Sequence, residues 1–154
     1  MLRQGNLEDI EAVYRLNRVN FSGYWSRESL FSALESGYDL LLCDIDGQSV
    51  AYLLSLSILD EVQIMQIAVC SDYRRQGMAS RMTAALIGSA PSACTLTLEV
   101  RASNYAARKL YAGLGFKELG YRKNYYTPDT SGCCEDAIVM NLRCTESHSV
   151  LNLL

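Results

Sequence analysis

The stretch Gln66-Ile67-Ala68-Val69-Cys70-Ser71-Asp72-Tyr73-Arg74-Arg75-Gln76-Gly77-Met78-Ala79-Ser80-Arg81-Met82 decides how the rest of the chain reads. It is an apolar strand, a short polar loop, and then Arg-x-x-Gly-x-Ala opening a helix. The first amides of a helix have no internal partner and stand at the positive end of its dipole. A loop that turns them toward one point makes a cradle for an anion. Gly77 lets the backbone approach a ligand without a Cβ in the way, and small Ala79 permits a tight first turn. The expectation is a site for a phosphate-bearing cofactor.

Upstream of the cradle, Val62 to Val69 reads as a strand, and Asp60-Glu61 interrupts the apolar text before it. Tyr38–Ile45 and Ser49–Leu59 are β-rich and flank Asp46-Gly47, a strong hairpin signal. Leu2 to Gln4 reads as a short first strand. Asn6 then caps a helix with Asp9 as its capping partner and Leu7, Ile10, Val13, Tyr14 and Leu16 as its apolar stripe. A polar link, Asn17 to Gly23, leads to Ser26, which caps a second helix carrying Leu30, Phe31 and Leu34 and stopping at Gly37. Trp25 either staples that helix or lines a substrate groove.

Downstream, Met78 to Ala90 reads as a helix with Met78, Met82, Ala85 and Leu86 on one face, ended by the Pro91 segment. Cys94 to Val100 alternates Leu96, Leu98 and Val100 with Thr95, Thr97 and Glu99, the period of a strand. Asn104 caps a helix over Tyr105 to Leu114, closed by Gly115, and Phe116–Tyr126 and Asp136–Leu142 are two last strands around the polar loop Thr127–Glu135. The order is strand, two helices, three strands, helix, strand, helix, two strands. That is an α+β layer architecture, with about four helices on a mixed, mostly antiparallel sheet of about seven strands.

At 154 residues the chain fits one domain over 1–154, with 145–154 as a possible tail whose Val150, Leu151, Leu153 and Leu154 are candidates for docking. The net charge of −3 gives no general drive toward nucleic acid. The six cysteines lack Cys-x-x-Cys spacing and match no secreted disulfide framework, which points to a reducing cytoplasm. Cys133, Cys134, Cys144 and the single histidine, His148, fit no zinc pattern, so no metal is expected. The start of the chain has no apolar run after its charge and no stretch reaches the length of a membrane span, so neither a signal peptide nor a membrane anchor is expected. Oligomeric state is not legible, and a monomer is the simplest expectation.

Arg74, Gly77 and Ala79 meet the Arg/Gln-x-x-Gly-x-Gly/Ala mark of the GCN5-related N-acetyltransferase (GNAT) family. The likeness extends to Asp60-Glu61, Ile67-Ala68-Val69, Leu98 to Asn104, Leu110-Tyr111, Leu114-Gly115-Phe116, Asn124-Tyr125-Tyr126, and Glu135-Asp136-Ala137-Ile138 with Met140. In these blocks, from about Trp25 to Leu142, the chain resembles the RimI-like branch of that family, which acetylates the N-terminal alanine of a small-subunit ribosomal protein. The resemblance implies a GNAT fold, acetyl-coenzyme A as cofactor and a peptide N-terminus as acceptor. It places the cofactor on Ile67, Ala68, Val69, Arg74, Arg75, Gln76, Gly77, Met78, Ala79 and Asn104. The chain departs from the family's Asp-Pro-x-Tyr at Cys70-Ser71-Asp72-Tyr73, has Ala79 where glycine is common, and carries Cys133-Cys134 before Glu135. None of these removes a group the chemistry needs.

Acetyl transfer from a thioester needs a neutral amine, a stabilised oxyanion and a proton for the leaving thiolate. An α-amino group with a pKa of about 7.7 to 8.0 asks less of a base than a lysine near about 10.4. The resemblance makes Glu99 that base, against the alternative that it faces solvent beside Thr97. It makes Tyr111 the general acid, against a tyrosine packed between helix and sheet. Tyr111 follows Asn104 by two helical turns, so the two share a face, and Asn104 either bonds cofactor amides or only caps its helix. A backbone N–H on the strand ending at Val69 is the implied oxyanion donor. Trp25, Glu61, Tyr125, Tyr126, Glu135 and Asp136 are the candidates for the acceptor side, the acidic ones through attraction for a basic peptide start. Two other functions stay open: a GNAT enzyme for another peptide N-terminus, a lysine or a small amine, and a non-catalytic acyl-coenzyme A module, which would have no use for Glu99 and Tyr111.

Overall fold

A computed structural model of the chain describes residues 1–127 and 132–145. His148, the tail from 146 onward and the middle of the Thr127–Glu135 loop lie outside the described residues. The elements follow the expected order: β1 (Leu2–Gln4), α1 (Ile10–Asn20), α2 (Arg27–Glu35), β2 (Asp39–Ile45), β3 (Gln48–Ile58), β4 (Glu61–Val69), α3 (Met78–Ser89), β5 (Thr95–Arg101), α4 (Tyr105–Gly113), β6 (Lys117–Tyr126) and β7 (Glu135–Arg143). They build one seven-stranded sheet in the order β1-β2-β3-β4-β5-β7-β6. Only the β4–β5 pair is parallel. This is the expected α+β architecture, a mixed and mostly antiparallel sheet with helices on both faces.

The local signals act where the sequence places them. Asp46 and Gly47 take φ of 49° and 77°, the left-handed pair that a two-residue hairpin turn requires. Asn6 accepts from the Glu8 N–H while Asp9 reaches back to the Asn6 N–H, closing the capping box ahead of α1 through a short 3₁₀ turn. Ser26 caps α2 by accepting from the Ser29 N–H, and Asn104 caps α4 by accepting from the Ala107 N–H.

Period-two alternation then sorts side chains onto two cores. Leu96, Leu98 and Val100 of β5 pack with Met78, Met82 and Ile87 of α3 and Tyr111 of α4 on one face. On the other, Leu40, Leu42, Tyr52, Leu54 and Ala68 pack with Val13 and Leu16 of α1 and Leu30 of α2. Three expectations need correction. Asn17 to Asn20 are not a link but the last turn of α1, and Asn17 is fully buried. Leu7 and Phe31 are exposed, because the capping turn and the short α2 rotate them outward, and Ala33 takes the core position of α2 instead. No helix among the described residues is long and apolar enough to cross a membrane.

Leu96 has no solvent exposure and stands on the strand between β4 and β7. Leu96→Ala should lower unfolding free energy by about 2–5 kcal/mol, read from urea denaturation. A loss under about 1 kcal/mol would contradict the close packing of this core.

Candidate functional site

The site begins where two strands stop pairing. β4 and β5 run in parallel register from Glu61↔Thr95 to Ile64↔Leu98 and no further, although β4 continues to Val69 and β5 to Arg101. The cause lies in β4. Against β3, Ile64 faces Ser55 and Gln66 faces Leu54, so Met65 is an extra residue, a β-bulge. A bulge bends its strand and sharpens its twist, here at the last residue paired with β5. The result is a wedge with Met65–Val69 on one wall and Glu99–Arg101 on the other.

Val69 leads to the anion loop. A 3₁₀ turn at Ser71–Tyr73 is followed by Arg75 at φ 61° and Gly77 at φ 78°, both left-handed. Gly77 is the N-cap of α3 and supplies no side chain to cap it, so the leading amides of the helix lack that partner. Nothing stands within 4 Å of where a Cβ of Gly77 would be. The φ, and not crowding, is what calls for glycine here. Arg74 braces the loop: its Nε donates to the Val69 carbonyl at 3.1 Å and its Nη2 to Asn20 Oδ1 at 2.7 Å. Gln76 donates to the Asp72 carbonyl, and Met78 is buried beneath.

Glu99 lies between buried Leu98 and Val100, and alternation turns it to the α1/α2 face of the sheet. Its side chain is only 17% exposed, and Oε1 accepts from Arg122 Nη1 at 2.6 Å. The Arg122 guanidinium also lies 4.4 Å above the Tyr125 ring. A hydrogen bond to Glu99 holds the Tyr125 phenol above its ordinary range. Tyr125 meets Tyr126 edge to face at 5.1 Å, and Arg101 stacks on Tyr126 at 4.3 Å. Burial first, and then the charge of Glu99, push Tyr126 up to about 12. Aromatic rings and guanidinium groups thus alternate over the end of β5.

Tyr111 approaches from the opposite face. It is buried on α4, meets Phe116 edge to face at 5.6 Å, and burial pushes its phenol up to about 12. It is therefore both packed and protonated. Asn104 caps α4 with its oxygen and is exposed two turns before Tyr111.

The acidic candidates separate. Glu135 accepts from the Ser103 N–H at 2.7 Å and from Arg101 at 3.3 Å, tying the start of β7 to the end of β5. Asp136 accepts from the Asn124 N–H, where β6 carries extra residues against β7 and Asn124 takes φ 52°. Both acidic side chains shape the rim. Glu61 does not join them: it begins β4, pairs opposite the start of β5 and accepts from Thr97, at the end of the sheet away from the wedge. Sequence spacing could not show that β4 enters the sheet at that end.

Trp25 is half-buried, meets Tyr38 edge to face at 6.3 Å, and gives its backbone N–H to Asn17 Oδ1 at 2.7 Å. Sequence reasoning missed Arg122, Arg101 and Asn17. The first two have no motif beyond their strand positions. Asn17 had a signal: it continues the Ile10–Val13 face by one more turn, a polar residue on an apolar stripe.

Comparison with known proteins follows the same lines. Residues 8–125 match the model of the acetyltransferase (GNAT) domain. The chain is 38% identical over 136 residues to the ribosomal protein bS18 alanine N-acetyltransferase of Escherichia coli, covering 87% of this chain and 90% of that protein. It is 32% identical to the protein of that name from Haemophilus ducreyi, over 88% and 94% of the two chains. The crystal structure of the ribosomal protein alanine N-acetyltransferase from Escherichia coli superposes with a TM-score of 0.85 at 36% identity, covering 94% of both chains.

Ser103, through its hydroxyl and then its amide, and Arg101 hold the Glu135 carboxyl below its ordinary range. Such a group stabilises the fold above its unfolded pKa of about 4.3, and the contribution is lost as pH falls through the lower folded value. Glu135→Gln should therefore lower the urea midpoint at neutral pH and flatten its decline below about pH 4.3. A decline as steep as that of the wild type would show that the bond adds nothing.

Proposed function

Since the chain belongs to the GNAT acetyltransferase family, we propose that it transfers the acetyl group of acetyl-coenzyme A to the α-amino group of an N-terminal alanine on a small-subunit ribosomal protein. The observation that carries the reading is the wedge: beyond Ile64 and Leu98 the β4 edge parts from the strand bearing Glu99 and leads to a left-handed glycine loop whose helix has no side-chain cap. Relatives named for alanine N-acetylation over most of the chain support the acceptor. The protein works here as one domain in the cytoplasm.

The residues fit coenzyme A. Helix amides at Gly77, Met78 and Ala79, with Arg75 and Gln76 beside them, suit a pyrophosphate. The backbone of Ile67–Val69, free of β5, suits the amide-bearing arm and offers an N–H to the thioester oxygen. Asn104 stands at the far wall. When bound, acetyl-coenzyme A supplies an activated acyl group.

Glu99 takes a proton from the incoming ammonium. Arg122 occupies that carboxylate in the free protein, and with 56% of its side chain exposed it can yield the position to the amine. Tyr125, Tyr126 and Trp25 wall the acceptor side, with Glu135 and Asp136 fixing the rim. Tyr111, protonated throughout the working pH range, donates to the departing sulfur from the other face. The wedge lets acid and base reach one reacting centre from opposite sides of a sheet.

Purified protein given acetyl-coenzyme A should acetylate a peptide beginning Ala-Arg, read by mass spectrometry. Transfer only to lysine or small amines would move the acceptor assignment, and none to any amine would refute the enzyme. Glu99→Gln should cut kcat/KM by about 10²–10⁴ and remove the acidic limb of the pH–rate profile. An unchanged profile excludes Glu99 as base. Tyr111→Phe should slow turnover while the coenzyme A dissociation constant stays within about twofold. Lost binding would make its role structural.

A further inference from the structure

Asn17 is a fully buried amide with three partners from three parts of the chain. Its Nδ2 donates to Tyr52 Oη on β3 at 2.6 Å and to Gln66 Oε1 on β4 at 2.6 Å. Its Oδ1 accepts from the Trp25 backbone N–H in the α1–α2 connection at 2.7 Å. Tyr52 closes the ring by donating to Gln66 Oε1 at 3.0 Å. Only this orientation of the amide satisfies the Trp25 N–H, so the network is complete in one arrangement.

The partners give the network its meaning. Gln66 is the residue after the Met65 bulge, and it is followed by the Ile67–Val69 edge of the wedge. Trp25 stands in the segment between α1 and α2, on the face to which Glu99 is turned. An apolar residue at position 17 would serve the core as well, since Val13 and Leu16 beside it do so. A buried amide there fixes direction, which oil cannot do: it specifies where the Trp25 backbone sits relative to the bulged strand.

We propose that Asn17 is a positioning residue for the acceptor. It ties the Trp25 segment to the bulge of β4, so that the wall of the acceptor site and the strand edge holding the acyl group keep one spacing. The inference rests on the assignment of Trp25 to the acceptor side. Losing the tie leaves the Trp25 segment free to shift. Acceptor binding then weakens, whereas the coenzyme A loop keeps its own supports, the Arg74 bond to the Val69 carbonyl and the α3 N-terminus.

The test is steady-state kinetics on Asn17→Ala, Asn17→Asp and the control Val13→Ala, with an Ala-Arg peptide as acceptor and Tm measured on each. Asn17→Ala should raise the peptide KM about tenfold, the size of one lost buried hydrogen bond. Its coenzyme A dissociation constant, measured by calorimetry, should stay within about twofold. Asn17→Asp keeps an acceptor for the Trp25 N–H and should recover most of the peptide KM even if its Tm falls. Val13→Ala opens a cavity in the same helix and should lower Tm while leaving peptide KM unchanged. If Asn17→Ala leaves peptide KM alone, or if Val13→Ala raises it equally, the inference fails. A wild-type protein that acetylates no peptide would instead remove the acceptor assignment beneath it.

Discussion

One extra residue in a strand shapes this molecule. β4 pairs antiparallel with β3 on one side and parallel with β5 on the other, and Met65 is inserted where the parallel partnership ends. A bulge puts consecutive side chains on the same face. Met65 packs toward the α1/α2 core, and Gln66, the next residue, bonds Asn17 of α1. From that point β4 belongs to β3 alone, and the strand edge that turns away from β5 becomes available to a ligand. An unpaired buried strand edge is costly in an ordinary sheet. Here it is where the chemistry can be done.

The two cores make the wedge directional. α3 and α4 cover one face and bring the glycine loop and Tyr111; α1 and α2 cover the other, to which Glu99 is turned. In the proposed mechanism a proton is removed on one side and supplied on the other. Burial in the α3/α4 core is what keeps Tyr111 protonated. The rim of β5, β6 and β7 is held by charge-assisted contacts: Glu135 with Ser103 and Arg101, Asp136 with Asn124. Arg74 joins the halves by reaching from the glycine loop to the end of α1.

The sequence was most legible where a local rule acts alone. Asp46-Gly47, Asn6 with Asp9, Ser26, Asn104 and Gly77 each satisfy backbone geometry within a few residues, and each does in the fold what its type predicts. Legibility failed where a partner is remote. Asn17 looked like the start of a loop because a polar residue ended an apolar stripe, yet its partners lie 35 and 49 residues on. Glu61 looked like part of an acidic rim because strand direction within the sheet cannot be read from spacing. Leu7 and Phe31 fit the helical period but fall just outside the stripe once the capping turn and helix length are set. Arg122 carried no signal, since its meaning arises only when β6 lies beside β7 and faces Glu99.

That last pairing bears on what a base in this position must tolerate. The Glu99 carboxylate is already occupied by a guanidinium, so as the proposed base it must exchange that partner for the amine of the acceptor. An ammonium ion arriving at the same oxygen exchanges one cation for another, so the carboxylate is never left without a partner. The exchange is asymmetric because Arg122 keeps its stacking on Tyr125 and much of its contact with water. In the proposed mechanism Arg122 thus holds the Glu99 carboxylate in the free protein and yields it to the acceptor.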